Sequence, residues 1–417
     1  MSVIALFDKS FLQSVSVDES VWFDHFFLPV VCPIFYLETL ADLAKDHGAD
    51  RSPEKGVSII AQKFPEKSGS PCTSHWELAI QSLLGNEIPM DGRIPRPGGR
   101  YVQGGNRKGV LFDRAEEDEA FARWQQGEFQ DVERMYAAQW RDDLRAIDLR
   151  EIPKTLQNMG FDPKQCRTLE FAKSTALEFV SGSNMAFERL RSAVVFFGIQ
   201  QSHHTNIIQR WKAAGELPLS RFAPYAAYVL EVEVFFHAAL GANLISTERN
   251  SNRTDIAYLF YLPFCQVFVS GDKLHRNTAP LFMRSDQEFV WGHDLKADLK
   301  KLNGHFLGLP EEEREQGIMR FADAPPKEIG SLVTDLWRRH LRHGVLDEPN
   351  MTDRMTEEGR KKLAAELMAF TKGQNIPAHA LGEADFGSET LSIERRVHKR
   401  KGSWWQLPKD LLETPTE

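Results

Sequence analysis

Two apolar runs that do not alternate constrain this chain most. Residues 3–7 read Val-Ile-Ala-Leu-Phe and are followed by Asp8; residues 267–269 read Val-Phe-Val and lead through Ser270 and Gly271 to Asp272. Continuous apolar runs of this length are the signature of parallel strands buried on both faces. In open α/β sheets the ligand site lies just outside the carboxyl ends of such strands. The segment before the second run, residues 255–264, reads as a short buried helix that starts at Asp255 and turns at Pro263. Carboxylates gathered at one sheet edge repel one another unless a cation sits between them. The pattern therefore predicts a hard-metal site suited to Mg²⁺ or Mn²⁺.

Residues 30–43 repeat this logic. Pro33 suits a helix first turn, and Glu38 and Asp42 are spaced to share one face of that helix. Leu37, Leu40, Ala41 and Leu43 supply an apolar surface for a sheet. Acidic groups on an otherwise apolar helix need a partner of opposite charge. Each residue also has a plainer reading. Asp8 can cap a turn, Glu38 can face solvent, Asp255 can cap a helix, and Asp272 can form a turn with Gly271.

The order of these features resembles the PIN-domain nucleases: a strand-end Asp8, a helical Glu38, Asp255 at a helix start, and Asp272 in a Ser270-Gly271-Asp272 strand ending. The resemblance implies a three-layer α/β/α sandwich around a parallel sheet. It also implies that Asp8, Glu38, Asp255 and Asp272 hold a divalent metal and hydrolyse phosphodiester bonds, with Asp42 as an accessory ligand. It covers residues 1–45 and 250–300, the smaller part of the chain.

Composition is that of an ordinary globular protein, with 417 residues, 42% hydrophobic and 26% charged, and a net charge of −8. A protein that coats nucleic acid would be basic. A metal-dependent nuclease need not be, because its ions supply local positive charge. The four cysteines, Cys32, Cys72, Cys166 and Cys265, show neither CxxC nor paired spacing. Neither a disulfide framework nor a zinc site is expected, which fits a reducing cytoplasm. The first apolar run is too short for a secretory signal and is broken by Asp8 and Lys9. The apolar stretch 222–244 contains Glu231, Glu233 and His237, so it is expected to be a buried helix and not a membrane span.

The expected architecture is an α/β fold: a discontinuous PIN-like core, residues 1–45 and 245–305, interrupted by a large, mainly helical insertion at 46–244. Residues 306–417 form a helical C-terminal extension with a basic tail that can be flexible. Within the insertion, residues 46–110 are loop-rich. Helical periodicity is expected over 76–84, 116–124, 129–147, 167–179, 184–197, 203–214 and 224–240. Beyond the second core segment, a short strand at 289–291 precedes a helix starting at 293, with further helices over 329–341 and 356–371.

Substrate contacts are expected from Lys9 and Lys273, each directly after a candidate aspartate, and from Ser270. His275 follows the acidic loop and is a weaker candidate for the same role. In the tail, Arg395, Arg396, Lys399 and Arg400 are followed by Trp404. Cations bind phosphates and indoles stack on bases, although the tryptophans can equally dock on the body. The loop 93–108 is also basic. The expected function is metal-dependent phosphodiester hydrolysis, on RNA before DNA. A protein partner or a second copy could bind through the helical insertion. The rival readings are a metal-dependent hydrolase of a small nucleotide and a non-catalytic PIN-like binding scaffold.

Overall fold

The computed structural model describes residues 2–45, 52–104, 107–112, 115–154, 163–342, 344, 346, 356–377 and 397–410. Its centre is an all-parallel sheet built from β1 (Val3–Phe7), β2 (Phe27–Val31), β3 (Ser70–Pro71), β6 (Val267–Ser270) and β7 (Glu288–Trp291), in the order β3-β2-β1-β6-β7. Between them in the chain, β4 (Arg100–Gly104) and β5 (Arg107–Leu111) form a separate antiparallel hairpin, where sequence alone gave a basic loop. Helices pack on the sheet in an arrangement consistent with a three-layer α/β/α fold.

Both non-alternating runs are central strands. Within β1, Val3, Ala5, Leu6 and Phe7 are fully buried, and β6 is buried along its whole length. The second strand, β2, was not foreseen, because Pro29 sits in its middle and proline argues against an interior strand. The pairing shows how it is tolerated: β3 covers only Val30 and Val31, so Pro29 stands where that neighbour has not begun. The outer edge residue Ser70 comes from the segment expected to lie outside the core.

Two short helices join β1 to β2. The first, α1 (Lys9–Ser14), is capped by Asp8, whose side chain accepts the Phe11 amide. The second, α2 (Val17–Phe26), opens with a full capping box between Ser16 and Glu19. After β2 comes α3 (Pro33–Ala41), with Pro33 in its first turn. Phe7 of β1 meets Phe23 of α2 and Phe35 of α3 edge-on, at 5.5 and 5.0 Å between ring centres. These rings are the hub of the core near the carboxyl edge of the sheet.

The expected helices of the middle block form with boundaries shifted by a few residues: Glu116–Gln125, Asp131–Ala146, Leu169–Ser181, Ala186–Phe196, Gln201–Ala213 and Pro224–Gly241. The last is nearly all buried, as expected for residues 224–240. Its acidic residues are neutralised by other helices, Glu231 by Lys173 and Glu233 by Arg253 at 2.7 Å. Tyr225 and Tyr228 donate from this helix to the carbonyls of Phe260 and Leu259, at 2.9 and 2.7 Å. Among the described residues no helix is long and apolar enough to cross a membrane. All four cysteines are buried.

The described part of the tail is docked. Trp404 is 0% exposed, and its indole N–H donates to Asn303 Oδ1 at 2.8 Å. The Trp22 indole donates to the same oxygen at 2.9 Å, and the two indoles meet edge-on at 4.7 Å. Lys401 donates to the Phe64 carbonyl at 2.6 Å and faces Glu66. Replacing Trp404 by Ala removes a filled core position shared with Trp22. We expect Trp404→Ala to lower unfolding stability by about 3–5 kcal/mol, read from urea denaturation. A loss within error of zero would show that the tail does not hold the body together.

Candidate functional site

The strand order reverses beside β1: the chain steps outward through β2 and β3, then returns to the other side of β1 with β6. In open α/β sheets such a reversal, at the carboxyl edge, is where ligands are bound; here the loops leaving β1 and β6 are tied together by Ser270–Asp8 and Gly271–Ser10 hydrogen bonds. Asp8 leaves β1 there and Ser270-Gly271-Asp272 leaves β6. Gly292, at the end of β7, closes against this loop. A Cβ on it would lie 3.0 Å from the Gly271 nitrogen and 3.1 Å from the Ser270 carbonyl carbon, so any side chain there would press on the backbone of this loop.

Asp8 is buried, and both its oxygens are in use. One accepts the Phe11 amide at 2.9 Å; the other accepts the hydroxyls of Ser10 and Ser270, each at 2.7 Å. His275 Nδ1 lies 3.4 Å from the second oxygen and 2.8 Å from Ser270 Oγ. Its Nε2 lies 2.7 Å from the Asp255 carbonyl. With Asp8 ionised, as its lowered pKa requires, proton counting gives the state of this ring. Ser270 has one hydroxyl proton, given to Asp8, and it accepts from the Asp272 amide at 2.9 Å. It can therefore only accept from Nδ1, while a carbonyl can only accept from Nε2. Both ring nitrogens donate, so His275 is an imidazolium. Burial alone would push its pKa down, but the hydrogen bond and charge of Asp8, with Asp255 behind, hold it up at about 9. Burial would raise the Asp8 carboxyl; the His275 contact and the two serine hydroxyls outweigh it and hold Asp8 below its usual value.

Lys9 and Asp42 form a second closed unit. Lys9 Nζ contacts Asp42 at 2.7 Å and donates to the Glu38 carbonyl at 2.9 Å, with 14% of its side chain exposed. Arg141, from the helix Asp131–Ala146, reaches the same aspartate at 3.5 Å and donates to the Ala41 carbonyl at 2.7 Å. Asp42 lies in a 3₁₀ turn after α3, not one turn further along it. It joins the inserted helix to the core, and the accessory-ligand expectation has no free carboxylate to rest on.

Three carboxylates remain without an ion pair among the described residues: Glu38, Asp255 and Asp272. Glu38 accepts the Tyr258 hydroxyl at 2.5 Å. Burial pushes its carboxyl up, against Lys9 and Tyr258 and together with repulsion from Asp8. Asp255 was expected at a helix start. It lies instead inside the helix Ser251–Ala257, which Asn250 precedes and a 3₁₀ helix, Tyr258–Phe264, continues through Pro263. Burial pushes Asp255 to about 7; His275 opposes this, and repulsion from Glu38, Asp272 and Asp8 adds to it. Asp272 caps the helix Lys273–Thr278 by accepting the Leu274 amide at 2.6 Å.

The carboxylates thus share one field without closing on one point. Among the described residues, no three or more His, Cys, Asp or Glu side chains are gathered closely enough to hold a metal ion. The chemistry of the donors still suits a hard cation, since all are carboxylate oxygens. Glu38, Asp255 and Asp272 have oxygen capacity to offer, whereas on the buried Asp8 one oxygen is filled by two hydroxyls and the other keeps a single acceptor site beside the Phe11 amide.

Several expected substrate contacts fall elsewhere. Lys9 is locked in its ion pair. Ser270 is 0% exposed and orders Asp8 and His275 instead of meeting solvent. His275 is likewise 0% exposed and cannot touch a substrate. Trp404 is a core anchor. Arg400 is exposed and lies over the Trp405 ring, and Lys399 is half-buried. Arg395 and Arg396 lie outside the described residues. Lys273 is exposed beside Asp272. The central role of His275 was readable only in its spacing: a helix capped by Asp272 turns its third residue, His275, back toward the cap.

No family model matches this chain, and no curated protein or solved structure matches it either.

The raised pKa of Asp255 carries a sign. An acid that ionises harder when folded contributes stability below its unfolded pKa, near 3.9, and loses it as pH rises through about 7. Ionised Asp255 therefore weakens the fold above neutrality. We expect Asp255→Asn to stabilise the protein by roughly 2 kcal/mol at pH 8 in chelator, with little gain at pH 4. Thermal denaturation at the two pH values checks this, and equal effects at both would refute it. For His275 the raised pKa means stability that is present below about 6.5 and lost as pH rises through about 9. His275→Gln is expected to remove that alkaline loss from the stability profile between pH 7 and 10.

Proposed function

We propose that this protein is a metal-dependent phosphodiester hydrolase built on a PIN-like core. The observation that carries the reading is the electrostatic convergence of Glu38, Asp255 and Asp272, with Asp8 beside them, at the strand-order reversal. A stable fold gains nothing from holding Asp255 at about 7 among like charges. Such strain at a cleft is a mark of function. The order of the acidic residues along β1, α3, the helix Ser251–Ala257 and the β6 loop further supports the PIN-like assignment.

Glu38, Asp255 and Asp272 would hold the cation. A bound Mg²⁺ or Mn²⁺ supplies Lewis-acid stabilisation of charge on the phosphoryl oxygens and makes water a better nucleophile. The chain's own groups do the rest. Tyr258, whose proton burial and Glu38 hold firmly on the hydroxyl, fixes the Glu38 carboxylate. The His275 imidazolium fixes Asp8 and the backbone of Asp255 from opposite ends of its ring. Asp272 is set by its own helix cap, and the exposed Lys273 next to it meets an approaching phosphate. RNA is favoured over DNA on the strength of the family resemblance alone.

Cleavage of labelled single-stranded RNA, single-stranded DNA and duplex DNA in Mg²⁺ or Mn²⁺ tests the proposal. Asp255→Asn and Asp272→Asn are expected to lower the rate by about 100-fold or more, and chelator is expected to abolish it. Wild-type rates in both variants, or cleavage indifferent to chelator, would sink the reading. Added Mg²⁺ should also raise the melting temperature of the wild type and leave that of Asp255→Asn unchanged.

A further inference from the structure

Beside Asp272 the carboxyl edge carries an exposed cationic and aromatic rim that the carboxylate chemistry does not use. Trp291 ends β7 and is the cross-strand neighbour of Ser270. The Arg276 guanidinium lies over its ring at 5.1 Å, and the His293 ring stands 5.3 Å away. His293 Nε2 is 3.9 Å from where a side chain on Gly271 would begin, so the rim touches the acidic loop directly. Lys273, Arg276 and His293 are exposed and Trp291 is half-buried. Among the described residues neither Lys273 nor Arg276 has a carboxylate within ion-pair distance.

We propose that this rim binds an unpaired polynucleotide strand and leads it to the carboxylate cluster; the proposal rests on the nuclease reading and names its substrate class. Lys273 and Arg276 meet successive phosphates, and a base stacks on the Arg276–Trp291 pair. Charge complementarity commits the surface to a polyanion in a protein whose net charge is −8. The indole selects a strand with free base faces, because a base pair inside a duplex offers none to a side chain at a sheet edge.

The test is binding in chelator, where cleavage does not interfere. Fluorescein-labelled 20-residue oligo(U) and oligo(dT) are titrated with the full chain and followed by anisotropy, with a 20-base-pair duplex as comparison. Arg276→Ala and Trp291→Ala are each expected to weaken single-strand binding by about tenfold. Arg276→Ala should also flatten the salt dependence by about 0.7 in log–log slope. Trp291→Phe, which keeps a stacking face and the fold, is expected to bind within about threefold of wild type. Affinities of both alanine variants within twofold of wild type would overturn the proposal. So would no single-strand binding by the wild type, or equal affinity for the duplex. The nuclease reading fails separately: a wild type that binds the oligonucleotides but never cleaves them in Mg²⁺ or Mn²⁺ refutes hydrolysis and leaves the rim standing.

Discussion

The buried contact between Asp8 and His275 holds this site together. It joins three parts of the chain that are far apart in sequence: the end of β1, the loop after β6, and the helix carrying Asp255. Burying both charges is costly, and such a pair adds stability only when the remaining hydrogen bonds are filled. Here they are filled from every side: Phe11, Ser10 and Ser270 on Asp8, and Ser270 and the Asp255 carbonyl on His275. The pair therefore sets position more than it adds energy. It fixes where Asp255 stands, although Asp255 itself is left without a charge partner.

The helical block is tied to the same centre by a second clamp. Asp42 accepts Lys9 from α1 and Arg141 from the helix Asp131–Ala146. The buried cluster runs without a break from the sheet into the long helix Pro224–Gly241, whose tyrosines bond the 3₁₀ segment beside Asp255. The middle block is thus part of the frame that positions Glu38 and Asp255. This also explains why cations expected to meet substrate do not: Lys9 is spent on holding α1 to the end of α3.

Much of this was legible in the sequence where a local rule operates. The non-alternating runs gave β1 and β6, and helical periodicity gave most of the middle block, since both patterns reflect burial of a fixed face. What the sequence hid depends on contacts across the chain. Pro29 hid β2, because only the shortness of β3 makes a proline there tolerable. Asp255 looked like a cap because Thr254 and Asp255 are good capping residues; burial of the whole segment overrode that preference. Trp404 looked like a stacking platform, and only Asn303, about a hundred residues away, turns it into the core. His275 has an ordinary setting in sequence, and its charge follows from the valence of Ser270, which only the folded geometry brings within reach.

Charge is ordered in space at the carboxyl edge of the sheet, and on the proposed reading that ordering would reconcile an acidic protein with a polyanionic substrate. The imidazolium lies deepest, Glu38, Asp255 and Asp272 come next, and Lys273, Arg276 and His293 lie outermost. Exposed charges act over roughly 8–10 Å in physiological salt, so an arriving strand meets the outer cations and not the net charge of the whole. The carboxylates behind them repel a bare phosphate. On the proposed reading, a cation would have to lie among the carboxylates before a phosphodiester could approach them. On that reading metal loading would precede substrate, and a strand held on the rim without metal would stay short of the acidic cluster.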